Sequence, residues 1–389
     1  MIHSNYYLLN IIGKLQRNIE SNNYKGWDPY DALNSNLLKS RIGKTMLKFS
    51  NFEKMFIQFN KFSIINLRDL FKIEKNDDVY CSMLLARSYY ILYLKTNNNI
   101  WKDCFLNQIN YLKNKSLFKL YNHHSWSGHN FFYKGIDNSV LRPEVPEVIP
   151  TCLGIKLFHD AYQLTFDDQY YNIYNSAYNF ILNKFLIEKD KIAYLKYTLY
   201  DDDTKIVLNA SSIFLETVID IFPEKLLYHK IFNLFAKTQD ASGIWPYRIQ
   251  NKRAYLQTDF HQGFIIDGLI KYYNYNKTTK VKKIILNGAN FYQKKQFNDL
   301  GQSYYRYPAF YPTDIQNQSQ GIITFIKLYH IFKDDVYYDT SKKILNWTLL
   351  NMFDLDGYFY FQKGKFLINK IPYIRWNQST MLLALSIFL

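Results

Sequence analysis

The chain has 389 residues, of which 48% are hydrophobic, enough to bury a large core. Basic residues outnumber acidic ones 48 to 33, and the resulting net charge of +15 favours anionic partners. The charges are spread through the chain with no dense Lys/Arg run, which ranks an acidic glycan above nucleic acid, whose binders concentrate charge on one stripe or arm, and a plain solvated surface above both.

In chain order, the apolar periodicity predicts a lead helix over Asn5 to Glu20. A first outer helix follows over Asn36 to Phe49, with an inner partner over Asp78 to Leu94. Further outer and inner pairs are predicted at 99–113 with 149–165, 168–185 with 207–220 and 223–237 with 258–274. The last two pairs are 277–296 with 315–331 and 335–352 with 375–389. The second helix of each pair opens on small or polar residues: Asp78-Val79-Tyr80-Cys81, Ile149-Pro150-Thr151-Cys152, Val207-Leu208-Asn209-Ala210, Gln257-Thr258-Asp259-Phe260, Pro312-Thr313-Asp314-Ile315 and Ile374-Arg375-Trp376-Asn377. After the first gap these starts recur about every 50–60 residues, the mark of an array of supersecondary units. A lone helical hairpin cannot bury its apolar face, but six can close into a ring.

The inner helices are apolar nearly all round, as in Phe264-Ile265-Ile266-Asp267-Gly268-Leu269-Ile270, which means burial on most faces. The outer helices carry more polar residues, as in Lys282-Lys283-Ile284-Ile285-Leu286-Asn287. Between them, Ser242-Gly243-Ile244-Trp245-Pro246-Tyr247 and Asp356-Gly357-Tyr358-Phe359-Tyr360 predict turns and short strands on the face of the inner-helix starts. The expected fold is therefore all-α, an (α/α)6 toroid with short β-hairpin loops on one face. No Pro/Ser/Gly linker divides the chain, so residues 1–389 form one expected domain, with 1–35 as a helix and loop that close the ring.

Cys81, Cys104 and Cys152 show no metal spacing and fit reduced, packed thiols. The start Met1-Ile2-His3-Ser4-Asn5 lacks a secretory pattern, and no apolar run approaches the ~18 residues of a membrane span. The expected location is cytoplasmic. No Gly-rich phosphate loop or Ser-centred nucleophile elbow is present, and neither a cofactor nor a metal is expected.

Several stretches carry a family resemblance: Tyr24-Lys25-Gly26-Trp27-Asp28-Pro29-Tyr30-Asp31, Ile65-Asn66-Leu67-Arg68, Thr258-Asp259-Phe260-His261-Gln262-Gly263-Phe264, Tyr311-Pro312-Thr313-Asp314-Ile315-Gln316 and Tyr373-Ile374-Arg375-Trp376. Over nearly its whole length the chain resembles the six-hairpin glycosidase-like superfamily. More narrowly it resembles a group associated with surface-polysaccharide gene clusters. The resemblance implies a carbohydrate context but no particular reaction, because the superfamily holds hydrolases, lyases, epimerases and binding proteins.

Glycoside hydrolysis uses two carboxylates flanking the scissile bond. Asp259 and Asp314 begin consecutive inner helices, where an aspartate also serves as a plain N-cap. Asp31 is the candidate second carboxylate, although Asp28-Pro29 with Asp31 also reads as a turn and a cap. His261 adds a candidate base or proton shuttle. His123, His124 and His129 cluster around Trp126 without recognisable metal spacing. Arg375 is suited to fork onto a uronate carboxylate. Trp27, Trp126, Trp245, Tyr311 and Trp376 are the candidate stacking platforms. Asp28, His124 and Asn209 complete the substrate-binding set.

The expected function is carbohydrate-active, on a surface or capsular polysaccharide or its precursor, by glycosidic bond cleavage. The alternatives are a uronate lyase or C5-epimerase with Arg375 and nearby Tyr311, Tyr305 and His261, and a non-catalytic glycan-binding or assembly protein. The expected partner is a poly- or oligosaccharide, with neither nucleic acid nor an integral membrane segment. The oligomeric state stays open.

Overall fold

The computed structural model describes residues 5–38, 40–46, 49, 51–134 and 140–389. Outer and inner helices alternate along the chain. The outer ones are α1 (Asn5–Ser21), α3 (Asn99–Asn114), α5 (Asp168–Lys184), α7 (Lys225–Thr238), α9 (Thr279–Gln296) and α11 (Asp335–Met352). The inner ones are α2 (Val79–Thr96), α4 (Val148–Thr165), α6 (Leu208–Val218), α8 (His261–Tyr275), α10 (Ile315–Phe332) and α12 (Thr380–Phe388). Each inner helix packs on the next, and α12 packs on α2, which closes an (α/α)6 toroid.

Burial follows from composition. Every residue of α6 is buried, so it has no solvent face. By contrast α9 buries Val281, Ile284, Ile285, Ala289 and Tyr292, a single stripe at helical spacing, and turns its lysines outward.

The connections decide at which end of the ring the long loops gather. From inner to outer helix the turns are two residues in α2–α3, α4–α5 and α10–α11. Asn97, Phe166 and Lys333 adopt the left-handed conformation, and Asn98, Asp167 and Asp334 then cap the outer helix. From outer to inner helix the loops are long, so they gather at the inner-helix N-termini.

One repeated contact fixes those loops. Side-chain oxygens near the start of each of five inner segments accept a loop N–H: Thr151 from Trp126, Ser211 from Leu195, Gln262 from Trp245, Gln318 from Ser303 and Gln378 from Phe359. These bonds satisfy buried backbone donors outside any helix. They also give the small or polar residues at inner-helix starts a structural reason.

The loops hold short antiparallel strands. β1 (Tyr133–Lys134) pairs with β2 (Val140–Leu141), and β3 (Leu186–Glu188) with β4 (Ala193–Leu195). β5 (Ile206–Val207), β6 (Arg248–Gln250) and β7 (Arg253–Tyr255) form one three-stranded sheet. β8 (Thr313–Asp314), β9 (Gln362–Lys363) and β10 (Ile368–Asn369) form another, whose register sets Asp314 opposite Gln362.

The first hairpin differs from expectation. The stretch read as the first outer helix contains only the short helix Arg41–Met46 among the described residues, and Lys39, Leu47 and Lys48 lie outside them. The outer position is taken by α1, which buries Leu8, Ile11, Ile12, Leu15 and Ile19. Its Gln16 accepts a hydrogen bond from Tyr89 of α2 at 2.8 Å, and α1 also packs on α12. At the same seam Gly357 has φ +84°, and a Cβ there would stand 2.7 Å from the Lys14 carbonyl oxygen. The last inner segment also departs from a plain α-helix, since Ile374–Ser379 is a π-helical turn ahead of α12.

Candidate active site

A cavity of about 600 Å³ opens inside the ring and is lined from the loops and the inner helices. At its wall Asp259 sits just before α8, outside the helix, so its carboxylate folds back over the first turn. Asp259 Oδ1 accepts the His261 backbone N–H at 3.1 Å and lies 2.6 Å from His261 Nδ1. Oδ2 accepts from Gln257 at 2.7 Å, with Arg306 Nε 3.5 Å away. Burial works against the charged carboxylate, but His261 and Arg306 outweigh it and hold Asp259 below the usual range. The His261 ring is stacked on Phe260 and met edge-on by Tyr247. The Asp259 contact at Nδ1 fixes the orientation of the ring.

A second imidazole lines the same cavity. His129 Nδ1 lies 3.2 Å from Asp78 Oδ2. Asp78 is itself the cap of α2, accepting the Cys81 N–H at 2.7 Å. Burial opposes the imidazolium, yet the hydrogen bond and charge of Asp78 raise His129 above its ordinary value. Arg375 joins this group: its Nε donates to Asp28 Oδ2 at 2.7 Å and lies 3.8 Å from Asp78 Oδ2.

Two buried carboxyls in the lining have no ion-pair partner among the described residues. Glu147 accepts the Gly128 N–H at 2.7 Å, and burial raises its pKa. Asp314 caps α10 through the Gln316 N–H at 2.9 Å. It also accepts from Gln362 at 2.7 Å, as the β8–β9 register allows, and from Trp376 Nε1 at 3.0 Å. Burial raises Asp314 against these three donors.

Further along the inner helices, charges cross the ring. Glu216 pairs with Arg87 and with Lys327 at 2.8 Å, and Lys327 reaches Asp267 at 2.6 Å. Thr324 and Gln320 also donate to Asp267. Glu216 is held well below the carboxylate range, because its two cations outweigh its burial.

The cavity thus contains Asp259, His261, Asp314, Asn209, Arg375 and Trp376 among the residues singled out in the sequence. Asn209 presents a buried Oδ1 with no hydrogen-bond partner among the described residues. Other candidates lie elsewhere. Asp31 is buried outside the cavity lining in a two-point contact with Arg68, 3.0 Å from both Nε and Nη2. Burial still pushes the Asp31 carboxyl up to about 6. Asp28 is engaged by Arg375 rather than by the cavity.

Four of the aromatic candidates are not in the lining. Trp126 and Trp245 are fully buried, donate to the Leu112 and Phe235 carbonyls, and pack where Gly154 and Gly288 leave room. Trp27 donates to the Ile73 carbonyl, and Tyr311 is 43% exposed beyond the lining. His124 meets Ser116 at 2.8 Å and also stands outside. Among the described residues no group of three or more His, Cys, Asp and Glu side chains is gathered for a metal ion.

Sequence reasoning missed Glu147, the role of His129, and the cross-ring charges. A signal existed for the last: Arg87, Glu216, Asp267 and Lys327 interrupt helices that are otherwise apolar all round. A charge there must be paired or face a cavity.

No family model matches the chain, and no curated relative does. Solved structures do. A cellobiose 2-epimerase from Bacillus thermoamylovorans superposes with a TM-score of 0.62 at 13% identity, covering 81% of this chain and 90% of that one. A D-mannose isomerase gives 0.62 at 15% identity, covering 80% and 86%. A family 76 α-mannanase from Bacteroides thetaiotaomicron gives 0.61 at 12% identity, covering 80% and 85%. At these identities the likeness is one of fold, and it agrees with the toroid that the sequence resemblance implied.

Proposed function

We propose that this protein is a saccharide-active enzyme that moves a proton at a sugar carbon, in epimerisation or isomerisation. The observation that carries this reading is a pair of imidazoles, His261 and His129, each oriented by its own carboxylate and both lining one cavity. In this scheme His261 Nε2 takes the proton from the carbon beside a sugar carbonyl. The His129 imidazolium gives its proton to the carbonyl oxygen, leaving an enediol. His261 then gives a proton to the opposite face, or to the neighbouring carbon, while the enediol hydroxyl that becomes the carbonyl returns its proton to His129. Asp259 stabilises the imidazolium that forms on His261. Trp376 offers a ring for sugar stacking, and Asn209 Oδ1 an acceptor for a hydroxyl. The toroid's likeness to an epimerase and an isomerase supports a saccharide ligand. A surface-polysaccharide precursor as the substrate belongs to the same proposal.

Glycosidic bond cleavage is the second reading, and Glu147 with Asp314 favours it. Both are buried carboxyls in one cavity without a cationic partner among the described residues. A protonated Glu147 would serve as general acid.

Reaction in deuterium oxide separates the two. Saccharides incubated with the enzyme and read by mass spectrometry should gain carbon-bound deuterium under the first reading. Reducing-end release without carbon-bound deuterium would replace it with the second.

A further inference from the structure

Between α1 and α2 the chain carries a helix that belongs to no hairpin, Phe52–Phe62. It packs against the Asp31–Asn34 turn, and the Ser63 carbonyl just beyond it accepts from Asn369 of β10 at 2.9 Å. From this helix Lys61 enters the cavity lining and is 6% exposed.

Lys61 differs from three other cations of the cavity lining. Arg375 is matched by Asp28, Arg87 by Glu216, and Lys327 by Glu216 and Asp267. Lys61 has no carboxylate within ion-pair distance among the described residues. Its Nζ donates to the Tyr30 hydroxyl at 2.5 Å and lies 4.3 Å from the centre of that ring. Neither a phenol nor a ring face neutralises a buried ammonium, which has three donors to satisfy. Asp314, a lining carboxylate, already takes three neutral donors from Gln316, Gln362 and Trp376. Burial accordingly pulls Lys61 below the usual lysine range, with Tyr305 and Asp314 opposing. In the same lining the Arg306 side chain is 49% exposed, 3.5 Å from Asp259 Oδ2 and 5.4 Å from the centre of the Tyr305 ring.

We infer that Lys61, with Arg306, forms a subsite for an oxyanion substituent, so that the saccharide this cavity takes carries a carboxylate or a phosphate. The substituent supplies the negative charge that the protein withholds from Lys61, through charge-assisted hydrogen bonds. A neutral sugar leaves the ammonium buried and unmatched, which is the basis of discrimination. This subsite rests on the saccharide reading of the cavity but not on which reaction occurs there.

The test is calorimetric titration of wild type, Lys61→Met and Lys61→Arg with glucuronate, glucose 6-phosphate and glucose, with acetate and inorganic phosphate as bare anions. Wild type should prefer one acidic sugar to glucose by about tenfold or more, the scale of a single charge-assisted bond. Glucuronate or glucose 6-phosphate as the better ligand identifies the source of the anion. Lys61→Met should erase the preference while leaving glucose affinity and melting temperature intact, and Lys61→Arg should keep part of it. Equal affinity of wild type for acidic and neutral sugars overturns the subsite and leaves the saccharide reading standing. So does an unchanged preference in Lys61→Met. If no sugar binds but phosphate or acetate binds in a Lys61-dependent way, the subsite stands and the saccharide reading falls. If nothing binds, both fall.

Discussion

Asp259 and His261 close on each other across the start of α8, with Oδ1 2.6 Å from Nδ1. Two residues that far apart on a helix point to different faces. Here they meet because Asp259 precedes the helix and takes up the His261 backbone N–H as well. One carboxylate therefore sets the position of the helix start and the tautomer of the imidazole together.

Replacing His261 by Ala, or Asp259 by Asn, should lower kcat/KM by about 10²–10⁴-fold, the range of general acid–base groups. Asp259→Asn keeps the shape of the pair but removes the charge that supports an imidazolium. Circular dichroism should show both variants folded. Wild-type turnover in both would place the base on another residue.

Asp31→Asn should act on stability instead of chemistry. Arg68 is fully buried, with its Nε and Nη2 both on Asp31. Taking the charge from one member of a buried pair costs about 3–5 kcal/mol. A lowered denaturation midpoint with unchanged turnover per folded molecule is the expected result. Lost turnover at wild-type stability would return Asp31 to the catalytic set.

Gly357→Ala should loosen the seam that joins the two ends of the chain. The position combines φ +84° with a Cβ clash on the Lys14 carbonyl. Alanine at a positive-φ site destabilises by more than about 1 kcal/mol. Urea denaturation should show a lower midpoint at constant slope, and an unchanged midpoint would mean that α1 adapts without cost.

His129 should make stability depend on pH in one direction. Its folded pKa is raised above its ordinary value, so its contribution is complete below about pH 6.5 and fades as pH climbs through the folded value. Asp78, Glu147 and Arg375 are among the groups that act on it. The melting-temperature gap between wild type and His129→Gln should be wider at about pH 6 than at about pH 8. An equal gap at both values would show that Asp78 holds a neutral ring.

The sequence by itself determined the ring. Apolar periodicity is local, since it depends on residues three and four apart, and it marked every inner helix and nearly every outer one. It misplaced the first outer helix, because α1 reaches its ring position by packing on α12 at the far end of the chain, and it did not mark the helix Phe52–Phe62. The sequence also marked where the loops would gather, because caps and turn glycines are likewise local signals.

Which side chains occupy the cavity was decided by tertiary structure alone. Asp31 and Asp314 read alike, each an aspartate at a helix start, and only the approach of Arg68 or of Trp376 and Gln362 separates them. Trp126, Trp245 and Trp376 share a composition, yet Gly154 and Gly288 draw the first two into the wall between helices. Arg375 finds Asp28 across 347 positions of chain. Such pairings depend on distance in space, and a sequence records only distance along the chain.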